Sequence, residues 1–112
     1  MLKKMNLPQR FLNELIAYCL ADKRIVKVLL FGSRAFGDFR ETSDIDLAIY
    51  TRETTHTEQN LIEMRIQEIP TYLKIDIVFI ERLKNEGLLS NILREGVVLY
   101  EKGENLREVR GL

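Results

Sequence analysis

The chain has 112 residues, 46% of them apolar and 30% charged, which suits one globular domain with a buried core. Lysine plus arginine balances aspartate plus glutamate at 17 each, so there is no bulk positive field to collect nucleic acid, and direct nucleic-acid binding is not expected. No apolar run approaches the roughly 20 residues that cross a bilayer, the polar stretch after Lys3 and Lys4 argues against a signal peptide, and the single Cys19 excludes an intramolecular disulfide and points to the cytoplasm.

In chain order, Asn6 is placed to cap a helix with Pro8 in its first turn. Phe11, Leu12, Leu15, Ile16, Cys19 and Leu20 then recur at helical spacing to about Ala21. Cys19 on that apolar run reads as a small buried hydrophobe. Ile25 to Phe31 is β-branched and aliphatic and ends at Gly32, as a buried strand does. Residues 33–36 suit a short helical turn closed by Gly37, and 37–43 a polar loop.

From Asp44 to Tyr50 the pattern alternates, with Ile45, Leu47 and Ile49 opposite Asp44, Asp46, Ala48 and Tyr50. Thr55 and Glu58 have capping-box spacing, and the helix they start runs on to just before Pro70. His56, in polar surroundings and without a second ligand-spaced His or Cys, reads as a surface residue. Lys74 to Ile80 is a further strand, with Asp76 between Ile75 and Ile77. Leu88, Leu89, Ile92 and Leu93 mark a short helix ending near Gly96, followed by a short strand over 97–100. The expectation is a single domain over residues 1–112, with a core of about 7–100 and a polar tail at 101–112. Its fold class is α+β: a small mixed sheet with helices packed on one face.

Asp44 and Asp46 are two apart on the same strand, so their carboxylates leave the same face. Two acids that close repel each other and are costly to desolvate, so they call for a nearby cation. Mg²⁺ suits carboxylates combined with substrate phosphates. If the Asp76 strand is a neighbour in register, three acids share one face and suit two metals. Gly32 lets a phosphate approach the backbone, Ser33 adds a hydroxyl, and Arg34 offers charge to the same anion or faces solvent. A lone D-x-D is usually a solvated face and a lone Gly-Ser a turn; their conjunction with Asp76 carries the reading.

The run G-S-R-A-F-G at 32–37, S-D-I-D-L at 43–47 and I-D-I at 75–77 resembles the minimal nucleotidyltransferases of the DNA polymerase β superfamily. The likeness extends to the MntA-type antitoxins of HEPN/MNT toxin–antitoxin pairs. It covers most of the chain and implies the polymerase β-like nucleotidyltransferase fold. It also implies that Gly32, Ser33 and Arg34 bind the nucleotide, and that Asp44, Asp46 and Asp76 are catalytic and hold two Mg²⁺ ions, with Asp76 as base. Phe36 departs from the basic residue common in relatives. The resemblance further implies a HEPN-domain ribonuclease toxin as partner, to whose tyrosine AMP would pass from ATP. Two alternatives accompany it: an antitoxin that neutralises its partner by occlusion, and transfer to a small-molecule hydroxyl such as an aminoglycoside. The last is disfavoured because such enzymes carry an added acceptor domain.

Overall fold

The computed structural model describes residues 7–103. The expected Asn6 cap and residues 104–112 of the polar tail lie outside that range. Helix α1 (Gln9–Ala21) has Pro8 at its cap position, with the Pro8 carbonyl accepting from Leu12 N–H, so the helix starts just after the proline. Strand β1 (Ile25–Phe31) is followed by the one-turn α2 (Ser33–Phe36), then β2 (Ile45–Thr51) and α3 (His56–Gln67). Both bonds of the Thr55–Glu58 capping box form, and they fix where α3 begins. Strand β3 (Ile75–Phe79) runs into a single 3₁₀ turn, and α4 (Glu86–Glu95), capped by Asn85, precedes β4 (Val97–Glu101).

The sheet order is β3-β2-β1-β4, with β1 antiparallel to both neighbours and β2 parallel to β3. The parallel pair is possible because residues 52–74, including α3, form the crossover that a parallel connection requires. On one face Val28, Leu30, Leu47, Ile49, Ile75 and Phe79 meet Phe11, Leu15 and Cys19 of α1 and Ile62 and Ile66 of α3. Burial pushes the Cys19 thiol up to about 12, which suits a packing residue and not a nucleophile.

The other face is not left to solvent. Leu29 and Ala48 alternate with the core residues, and Ile92 of α4 packs on them with Tyr50, Val78 and Leu88 at the margin. Sequence patterning puts the helices on one face; α1 and α3 lie there, while α4 covers the reverse side. That matters for function, because Asp46 and Asp76 belong to the α4 side by the same alternation. No helix among the described residues is long and apolar enough to cross a membrane.

Candidate active site

The sheet register builds the centre of the site. Asp46 sits opposite Phe31 on β1 and opposite Asp76 on β3. Two carboxylates that arrive from residues 30 positions apart therefore stand side by side at one end of the sheet. Burial first, then the charges of Asp76 and Asp44, push the Asp46 carboxyl up from its ordinary 3.8 to about 6. A hydrogen bond to Asp76 helps hold that proton, and Lys74 opposes the shift. Lys74 Nζ is 3.7 Å from Asp76 Oδ1, an exposed pair.

Asp44 lies one residue ahead of β2 and is exposed, so the sheet does not fix its direction. It reaches Asp46 through charge. Among the described residues no three carboxylate, imidazole or thiol groups are already gathered as a ligand set. The structure thus brings Asp46 and Asp76 together and leaves Asp44 as a flanking acid. The donor chemistry still fits Mg²⁺: hard carboxylate oxygens, one of them raised by burial and by its acidic neighbours, are what a cation relieves.

Gly32 adjoins this pair. Its φ of 76° and ψ of −158° belong to glycine, and a Cβ there would collide with the Asp46 carboxylate. The backbone at Gly32 is therefore pressed against the acid with no side chain between them. In α2 the N–H groups of Ala35 and Phe36 are both spent on the Gly32 carbonyl. Gly32 and Ser33 open instead on a cavity of about 340 Å³, whose other walls include Phe31, Phe36, Asp38, Leu88, Asn91 and Glu95. An acid pair beside an open glycine–serine turn and a hollow of that size can accept a phosphate chain with its counter-ions.

Arg34 is placed differently from its expected position on the anion or in solvent. It is 3% exposed, and its guanidinium donates to the carbonyls of Ser43, Glu41 and Arg40. The reason is local: the loop before β2 turns its carbonyls inward, and the arginine fork satisfies several at once. Asn91 and Glu95 escaped sequence reading. Their spacing on one helix face was visible, but nothing local says that α4 folds back over Gly32. Lys74 was readable as sharing a face with Asp76, two residues on. A larger hollow of about 570 Å³ lies between α1 and α3, where Asp22 is already consumed by Arg24 and Tyr18.

A family model described as Polymerase beta, Nucleotidyltransferase matches residues 13–105. A search of curated protein sequences gives no significant match. Among solved structures, a toxin–antitoxin complex with AMP-PNP superposes with a TM-score of 0.59 at 19% identity, covering 88% of this chain and 77% of that one. The tri-AMPylated Shewanella oneidensis HEPN toxin in complex with MNT antitoxin gives 0.61 at 16% identity, over 87% of this chain and 75% of that one. A minimal nucleotidyltransferase gives 0.58 at 29% identity, over 75% and 85%. At these identities the first two speak to the shared fold alone.

Proposed function

The chain belongs to the polymerase β nucleotidyltransferase family, and from that premise we propose that it is a magnesium-dependent nucleotidyltransferase acting as an antitoxin. Its substrates are ATP and a tyrosine hydroxyl of a HEPN-domain ribonuclease toxin. One observation carries the chemistry: the Asp46–Asp76 pair held against the bare backbone of Gly32. The toxin as acceptor is supported by the AMPylated HEPN–MNT complex that shares this fold.

Two Mg²⁺ ions, when bound, supply the positive charge that polarises the transferring phosphate and its leaving group. Asp44, Asp46 and Asp76 would hold them. Gly32 and Ser33 hold the triphosphate through the close backbone approach and the serine hydroxyl. Asp76 takes the proton of the incoming tyrosine hydroxyl. The tyrosine oxygen bonds to the α-phosphorus, the bond from that phosphorus to the bridging oxygen breaks, and pyrophosphate leaves. The described residues form one four-stranded sheet domain with its helices, and the partner presents its own hydroxyl to the acid pair.

The test is incubation with ATP, Mg²⁺ and a HEPN-domain protein that binds the chain, followed by intact-mass and peptide analysis. The expected result is addition of one or more AMP groups on tyrosine. An unmodified partner, under conditions where the complex forms, overturns the proposal. A second reading, neutralisation by occlusion, is favoured by one feature: Asp44 is not gathered with the other acids. The doubly substituted Asp44→Asn, Asp46→Asn chain separates the two readings. Under transfer it loses protection of cells against the toxin, and under occlusion it keeps it.

A further inference from the structure

An arginine with 3% exposure is unusual, and the use made of this one is specific. Its backbone belongs to α2, the turn that follows Gly32. Its side chain ends at the other half of the site. Nε donates to the Ser43 carbonyl at 3.0 Å, and Nη2 donates to the carbonyls of Glu41 at 2.9 Å and Arg40 at 3.3 Å. The Phe39 ring lies 4.9 Å from its Cζ. The loop is drawn together from within as well, since Arg40 N–H donates to Ser43 Oγ at 2.8 Å.

The Ser43 carbonyl is part of the peptide that carries Asp44. Asp46 needs no such anchor, because the ladder holds it between Phe31 and Asp76. Asp44 precedes the ladder and is exposed, so its direction depends on what fixes the peptide before it. Resting on the nucleotidyl-transfer reading, we propose that Arg34 is a positioning residue that aims Asp44 and sets the gap between the Gly32–Ser33 turn and the acids. It touches neither substrate nor metal. It holds the two halves of the site in register from beneath, through three carbonyls that a lysine ammonium, as a single point charge without the planar fork, cannot engage in the same geometry. The separation of the G-S and D-x-D elements in the sequence is then the length of loop that one guanidinium can gather.

The experiment compares wild type with Arg34→Lys and Arg34→Gln, at a temperature where circular dichroism shows each to be folded. Mn²⁺ affinity is read by water-proton relaxation without acceptor, and kcat and KM for ATP are read separately. The expected result is Mn²⁺ binding weakened about 10- to 100-fold in Arg34→Gln, the range for residues that orient metal ligands through a second layer. Affinity should recover in part in Arg34→Lys, and kcat should fall more than KM changes. Phe39→Leu, which keeps the charge and removes the ring, gives a smaller loss in the same direction and serves if the arginine variants do not fold. Folded Arg34→Gln, or folded Phe39→Leu in its stead, with wild-type Mn²⁺ affinity and kcat overturns this inference alone. Absence of Mn²⁺ binding by the wild-type chain overturns it together with the nucleotidyl-transfer reading.

Discussion

Replacing Asp46 by asparagine should make the metal-free protein more stable while destroying its chemistry. The Asp46 carboxyl rises from its ordinary 3.8 to about 6 in the folded chain, chiefly through burial and the charge of Asp76. A raised carboxyl binds its proton more tightly when folded than when unfolded. Ionisation therefore destabilises the fold: nothing is lost below the unfolded value of 3.8, the loss grows as pH rises, and it is complete above about 6. At about 1.4 kcal/mol per tenfold change in proton affinity, the ceiling is about 3 kcal/mol. The carboxyl is only half-buried, and solvent screening reduces that to about 1–2 kcal/mol. Asparagine keeps the shape and removes the charge, so Asp46→Asn should gain that amount at about pH 8 and nothing near pH 3.5. Urea unfolding at both pH values, in EDTA, measures it. A variant no more stable than wild type at the higher pH, or equally stabilised at both, refutes the claim that the folded site disfavours a charged Asp46. Saturating Mg²⁺ should reverse the order by stabilising the wild type alone, by about 2.7 kcal/mol at a hundredfold excess over its dissociation constant.

Gly32→Ala combines a backbone that L-residues avoid with a Cβ driven into the Asp46 carboxylate. It should cost about 1–3 kcal/mol by thermal or urea unfolding and reduce AMP transfer far more than that loss explains. Ile92→Ala removes the fully buried contact that seats α4 on Leu29 and Ala48. The expected loss is about 2–4 kcal/mol. Because α4 walls the Gly32–Ser33 cavity, KM for ATP should rise in the still-folded fraction, measured well below the melting temperature.

Much of this arrangement was readable without coordinates because its signals are local. The alternation of Ile45, Leu47 and Ile49 places Asp46 on the opposite face, and the Thr55–Glu58 pair marks the start of α3. The pairing of Asp46 with Asp76 followed from one assumption, that the two strands are in register neighbours, and they are. What escaped depends on contacts across the chain. The apolar stripe of α4 says that the helix is covered but not by which face of the sheet. Arginine is ordinarily an exposed residue, and the inward turn of the 40–43 carbonyls onto the Arg34 guanidinium leaves no mark in the residue pattern. Asp44 fits the strand alternation, yet the ladder starts one residue later, and its place outside the pairing was not legible.

The parallel pairing of β2 with β3 decides when, during folding, the two carboxylates come together. Strands β1 and β2 are joined by residues 32–44, a shorter closure than the 52–74 crossover, so Gly32 and Asp46 come into contact first. Asp76 joins them only after residues 52–74 have formed and crossed over, which is the long-range closure that two-state domains make slowly. A nascent or partly opened chain therefore carries one carboxylate of the pair without the other. Its Gly32–Ser33 turn can be in place while the Asp46–Asp76 pair is incomplete. The acid pair is thus a product of the crossover, and whatever depends on both carboxylates waits for β3 to dock beside β2.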